Sequence, residues 1–237
     1  MTDQTSTPPG DAPEPLVDTA RLTRIATVLI WTCLATDVAL GLSALYTIGV
    51  LGGFGGAIAP AESFEGLEHV LAATGVLNLL AVAAAGLAVL RWIYRTSRNA
   101  HALYPAMTVT PGWAVGWFFV PIANLWKPFQ AVSETWQVSA DPHAPEAVPI
   151  PPVLRIWWGC WIASSIISNI DFRLSKHAET AEQLITAPWF TVAAVPVDIA
   201  LTIALTTIMR RLSQMQRDRA GDIRQAPPEI AEDATVE

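Results

Sequence analysis

The chain has 237 residues, 52% of them hydrophobic and only 15% charged, with a formal net charge of −7. An average soluble domain carries about 25% charged residues, so the composition points away from a water-covered globule. Lys and Arg number 14 against 21 Asp and Glu, which argues against a basic nucleic-acid-binding face.

The acidic residues gather in the tails, and arginines stand at the ends of long uncharged stretches. Residues 1–20, polar, acidic and rich in Pro, lack the basic start and short apolar core of a signal peptide. They cannot bury enough apolar area to offset chain entropy and are expected to form a disordered cytoplasmic tail. Ile25 to Phe54 then holds a single charge, Asp37. A span needs roughly 20 apolar residues, so the first is placed at 25–49, before the Gly-rich GVLGGFGGAIAP. Gly49 and Gly53 have the spacing of a close-packing motif.

After Glu62, Glu65 and Glu68, the run from Val70 to Leu90 is again uncharged, which places a second span at 70–90. Its small residues, such as Ala83 and Gly86, allow close helix approach in lipid. Arg91, Arg95 and Arg98 follow on one helical face, so this helix should run on beyond the membrane.

Residues 105–139 read as an interfacial segment on the cytoplasmic side. Within TPGWAVGWFFVPIANLWKPFQ (110–130), Thr110 suits a helix cap and Pro111 a first helical position. Gly112 and Gly116 leave one side bare, Trp113 and Trp117 share a face, and Pro121 breaks the run. Gly112 to Trp126 is too short for a span but suits a re-entrant hairpin or a helix lying in the interface. Residues 128–138 are expected to form an amphipathic helix. Its apolar face is Phe129, Val132 and Trp136, with Gln130, Ser133, Glu134 and Gln137 elsewhere. The five prolines of 140–152 mark a loop.

A third span, 153–174, is the weakest by hydropathy. It needs Arg155 and Arg173 to reach the interface with their head groups, while Trp157, Trp158 and Trp161 fit an aromatic belt. A fourth, 188–209, is interrupted only by Pro196 and Asp198 and is closed by Arg210 and Arg211. Residues 213–237 read as a second, mostly disordered cytoplasmic tail. The expectation is therefore an all-α membrane protein, with a four-helix membrane domain over 21–212.

Basic residues near span ends favour the cytoplasm. With the N-terminus inside and four spans, only Arg173 and Lys176 of the 14 basic residues fall outside. A fifth span through 107–126 would divide them evenly, so charge favours four spans. Both termini then lie in the cytoplasm of a cell membrane.

The 110–130 stretch resembles the signature of a bacterial membrane-protein family described only as a domain of unknown function. The resemblance takes in RTSRNAHAL (95–103), WWGCW (157–161) and VDIALTIALTTIMRRLSQMQ (197–216), so it covers roughly residues 20–216. It implies a multi-span membrane protein and brings no activity, cofactor or site with it. Lys127 and Phe129 stand where that pattern often has Arg and Tyr.

Depth in the bilayer singles out one set of residues. Asp37, Asn78 and Asp198 lie at the middle of their spans, with Ser164 and Ser165 near the middle of the third. No Lys, Arg or His lies at that depth. Two acids there must be protonated, share a proton, meet water or hold a cation. The reading the sequence favours is that both are neutral and act as hydrogen-bonding links between helices. Trp113, Trp117, Asn124 and Trp126 are either interface anchors or the lining of a groove for a lipid or partner helix. Arg91, Arg95, Arg98, Arg210 and Arg211 form a basic collar for anionic lipid head groups. Cys33 and Cys160 read as small buried hydrophobes.

His69, His101, His143 and His177 are scattered, and GGFGG precedes no Lys, so no metal, cofactor or catalytic residue is expected. Three functions remain, in this order. The first is a structural or interaction component contacting membrane lipids, protein partners or a second copy of the chain. The second is a small proton- or cation-linked transporter or channel component using Asp37 and Asp198. The third, a membrane-embedded enzyme acting on lipid, ranks last because no nucleophile–base pair is visible.

Overall fold

The computed structural model describes residues 16–53, 67–176 and 181–225. The Gly-rich turn, the acidic residues around 62–65, His177 and the outer parts of both tails lie outside these residues. Among the described residues the structure is all-helical, with no strand.

Helix α1 is Ala20–Gly53 and α2 is Leu67–Leu103. Three helices, α1, α2 and the later α6, are long and apolar enough to cross a membrane. Helix α2 continues past Arg91, Arg95 and Arg98, as their shared face predicts.

The stretch after α2 does not form one long helix. Pro111–Gly116 is a short helix, α3, with Pro111 in its first turn. Thr110 holds the cap position, but its side chain makes no capping hydrogen bond. Two 3₁₀ turns follow, Trp117–Phe119 and Ala123–Leu125. Between them Ile122 has φ of 69° and ψ of −57°, and the Ala123 N–H donates to Pro121 O at 2.8 Å. This is a γ-turn of the strained hand. Ile122 is the only positive-φ residue other than glycine among the described residues.

Helix α4 is Lys127–Ala140. Phe129, Val132 and Trp136 pack into the core as expected, but Ser133, Thr135 and Ser139 are buried as well. The helix is therefore enclosed on more sides than an interfacial amphipathic helix would be. A 3₁₀ turn, Pro145–Ala147, leads to α5, Pro152–Lys176. Helix α5 is long enough to cross a bilayer but falls short in apolarity, because of Ser164, Ser165, Ser168, Asn169 and Asp171.

Helix α6 is Ala181–Gln225, with Pro188 and Pro196 inside it. It runs well beyond residue 212, where the chain was expected to become disordered. Leu212, Ser213 and Gln216 are buried there, one turn apart on the same face, and this packing holds the extension helical.

The long helices pack in the order α5, α6, α1, α2. Helices α2 and α5, at the two ends of this row, pack little on one another among the described residues. Helices α3 and α4 close one end of the bundle, resting on α2, with α4 also reaching α6. The hydrophobic core lies at that end, built from Trp92, Ile93, Val132, Leu154, Ile208 and Leu212 among others. Farther up, α2 presents Leu79, Leu80 and Leu87 outward, Leu87 at 70% exposure. Apolar faces turned outward suit lipid, and a buried apolar core suits water.

Several hydroxyls of α1 are satisfied within the helix: Thr32 donates to Val28 O, Ser43 to Ala39 O and Thr47 to Ser43 O. Backbone and side-chain polar groups in lipid need such internal partners. Gly41 lies where α1 comes close against α6. A Cβ there would stand 2.6 Å from Val195 Cγ2. Gly49 and Gly112, which have the spacing of packing motifs, face open space instead.

Candidate functional site

Asp37, Asn78, Ser164, Ser165 and Asp198, the residues singled out by depth, all line one cavity of about 570 Å³. They come from α1, α2, α5 and α6, so all four long helices contribute. Two polar pairs face one another across it. On one side Asn78 Nδ2 donates to Asp37 Oδ1 at 2.6 Å and to Thr36 Oγ1 at 2.9 Å, tying α2 to α1. On the other, Ser164 Oγ donates to Asp198 Oδ1 at 2.7 Å, tying α5 to α6.

Both carboxylates line the same cavity. Neither is paired with a basic side chain, and Asp198 Oδ2 has no hydrogen-bond partner among the described residues. Cys33 also lines the cavity, with Sγ 3.7 Å from Asp37 Oδ2. It is half-buried beside an acid rather than enclosed as a simple hydrophobe. Ser165 faces the cavity too, but its hydroxyl donates to Trp161 O in its own helix.

Below the polar layer the walls are apolar and aromatic. Phe118 and Phe119, from the first 3₁₀ turn, form the floor with Trp157 and Trp161. Trp161 is fixed on two sides, stacked on Trp158 at 4.7 Å between ring centroids and met edge-on by Phe118 at 6.2 Å. The 110–126 stretch therefore places its own aromatics under the intramembrane site, which reading its Trp residues as anchors or groove lining did not anticipate. Helices α2 and α5 both line the cavity and, among the described residues, pack little on one another.

The four candidate groove residues do not converge. Trp113 and Trp117 stack on each other at 4.5 Å, with Lys127 Nζ 5.7 Å from the Trp117 ring centroid. Asn124 lines a separate groove with Leu125, Trp161, Asn169 and Arg173 along the outer face of α5. Trp126 stands apart and exposed. Trp158 Nε1 donates to Leu125 O at 3.0 Å, which fixes this stretch to the start of α5. Of the collar, Arg91, Arg98, Arg210 and Arg211 are exposed and Arg95 is half-buried.

A second polar cluster escaped the sequence reading. Ser213 Oγ accepts from Trp92 Nε1 at 3.0 Å and from Thr19 Oγ1 at 3.1 Å, and lies 2.8 Å from Thr23 Oγ1. One hydroxyl with two lone pairs and one proton is thereby fully used. Gln216 Nε2 donates to Thr96 O and Ser139 Oγ, and its Oε1 accepts from Asn99. Asn99 also exchanges two hydrogen bonds with the backbone of Val17, which pins the entry to α1. Such residues carry no periodic signal, and Val17, Thr19, Ser213 and Gln216 fall where a disordered tail is expected from the sequence.

Two more residues were missed. Asp171 Oδ2 accepts from Thr191 Oγ1 at 3.3 Å, a second polar tie between α5 and α6. Glu134, placed off the apolar face of its helix by the sequence, accepts from the backbone N–H of Thr108 and Val109 and from Thr108 Oγ1. Among the described residues no three His, Cys, Asp or Glu side chains meet as a metal site would need.

Helices of this length and apolarity, packed about a polar cavity, suit a membrane protein. The chain belongs to the family described as domain of unknown function (DUF4328), which it matches over residues 59–214, more than half of its length. The match covers Asn78, Ser164, Ser165 and Asp198, whereas α1 with Asp37 lies before it. No curated protein and no solved structure matches the chain.

Proposed function

We propose that the chain is a multi-pass protein of the cytoplasmic membrane whose intramembrane cavity holds and passes a cation, a proton or another small positive charge, with Asp37 and Asp198 as its binding groups. One observation carries this reading: four helices bring two carboxylates, an amide and a hydroxyl to one cavity with no basic residue among them. Asp37 has a partner at each oxygen, Asn78 at Oδ1 and Cys33 at Oδ2. Asp198 Oδ2 is without such a partner, and the space beside it invites a positive ligand.

Four spans with both termini inside fit this reading. The stretch at 111–126 is folded into a short helix and turns, which supports an interfacial or re-entrant placement over a fifth span. The polar face of α5 supports its position beside a wet cavity, where polar spans are tolerated. Pro196 removes one backbone hydrogen bond two residues before Asp198, which favours local bending of α6. The exposed arginines support contact with anionic lipid head groups. A purely structural or interaction role, the first choice from sequence alone, gives no account of the cavity.

The test is flux into liposomes containing the purified protein and a pH-sensitive dye, driven by a potassium diffusion potential. Wild type is expected to dissipate the potential by proton movement or, with sodium present, by sodium movement. Asp37→Asn and Asp198→Asn should insert normally and cut the rate at least tenfold. Equal rates in wild type and both variants would remove the cation reading.

A further inference from the structure

We infer that the cavity takes a lipophilic organic cation, a flat or bulky apolar body bearing one delocalised or ammonium charge, which reaches it sideways from the bilayer between α2 and α5. This rests on the cation reading above and specifies its ligand.

Size is the first observation. A cavity of about 570 Å³ far exceeds the ~30 Å³ of a water molecule and falls in the range of about 300–1,000 Å³ typical of small-molecule sites. A proton or a bare alkali ion uses almost none of it. Wall chemistry is the second. Aliphatic side chains such as Leu34, Val82 and Leu201 cover most of the surface, and Trp157, Trp161 and Phe118 add ring faces and edges. Carboxylates beside aromatic rings in an apolar setting favour a weakly hydrated cation over a strongly hydrated one, because the former loses less on leaving water. Trp161 is held in place by Trp158 and Phe118, so its ring is preorganised.

Access is the third observation. Helices α2 and α5 both line the cavity and, among the described residues, pack little on one another, which points to a lateral opening between them. A ligand dissolved in the bilayer meets this opening directly. An anionic or zwitterionic lipid head group would bring a phosphate next to Asp37 and Asp198, which charge repulsion opposes, so a phospholipid is a poor occupant.

The probe is tetraphenylphosphonium, titrated by calorimetry into the purified full-length protein in detergent micelles and in lipid nanodiscs. Wild type should bind it. Asp198→Asn and Asp37→Asn should each weaken binding at least tenfold, and Trp161→Leu several-fold. Gly86→Leu is a variant for filling the cavity, because Gly86 lines it and nothing lies within 4 Å of its Cβ position. Filling that space should weaken binding at least tenfold while the melting temperature stays at or above wild type. An uncharged analogue, triphenylmethanol, should not compete.

Wild-type binding no tighter than that of the Asp37→Asn/Asp198→Asn pair would overturn the organic ligand. If Asp-dependent proton or sodium flux persisted in the same preparation, the cation reading would survive that result, and without such flux both would fall. Equal competition by triphenylmethanol would also overturn the inference, since charge would then play no part. So would unchanged affinity in Gly86→Leu, since the ligand would then sit elsewhere.

Discussion

The indole of Trp92, on α2, donates a 3.0 Å hydrogen bond to the hydroxyl of Ser213, on α6, and both side chains are almost completely buried. These helices make little other contact along their length, so this bond and its neighbours fasten α2 to α6 at the packed end of the bundle. Ser213→Ala leaves the Trp92 N–H and the hydroxyls of Thr19 and Thr23 short of a partner. Each unmet buried group costs about 1–3 kcal/mol, so the melting temperature in mild detergent should fall by several degrees. An unchanged midpoint would show that water replaces Ser213 at no cost.

Gly41→Val should separate α1 from α6, because the new side chain starts 2.6 Å from Val195 Cγ2. Overpacking of this kind costs about 1–3 kcal/mol. Val195→Ala removes the obstructing methyl groups, so the double variant should recover most of the loss. A double-mutant cycle on thermal midpoints measures this coupling, and strict additivity would contradict the contact.

Glu134→Ala should release the loop at 108–109, which depends on that carboxylate for two backbone N–H groups. These bonds are solvent-accessible, so the effect on global stability is limited to about 1 kcal/mol. The sharper readout is amide exchange at Thr108 and Val109, which should quicken at least tenfold. Protection equal to wild type would mean that the loop is held by other contacts.

Ile122→Gly relieves the left-handed backbone at Ile122, where φ is 69°. Strain of this sort is of order 1–3 kcal/mol, so the variant should melt higher in detergent. Ile122 is also 73% exposed beside Phe119 and Leu125, and this apolar tip suits insertion into lipid. In nanodiscs the gain should therefore shrink or reverse. Identical gains in both media would argue that the tip does not touch lipid.

The cavity residues were legible in the sequence because polarity is rare in lipid-facing helices. Asp37, Asn78 and Asp198 announce themselves by interrupting long apolar runs, and their similar depth foretold their meeting. The paired Ser164 and Asp198 could be placed at one level but not bonded to one another, since helix rotation is set by packing that hydropathy does not record. Gly41 was invisible for the same reason: one glycine among several, distinguished only by the helix that comes to face it. The Ser213 and Gln216 cluster was hidden differently. Outside lipid a buried Gln or Ser looks like any surface residue, and only the neighbours that Thr19, Trp92 and Asn99 provide give it meaning. Helix α5 shows the converse, since its length reads as a span while its serines and Asn169 read as something wetter.

One molecule here answers to two solvents. The upper helices keep leucines outward and acids inward, and the lower end, around Trp92 and Leu212, does the reverse. Urea, which acts on water-facing proteins, should loosen the lower end while leaving the upper helices shielded by their micelle. Harsh short-chain detergents should do the opposite, stripping the upper helices apart while the lower end keeps its fold. Loss of structure would then proceed in two separable stages, and the order of those stages would depend on which surroundings are disturbed first.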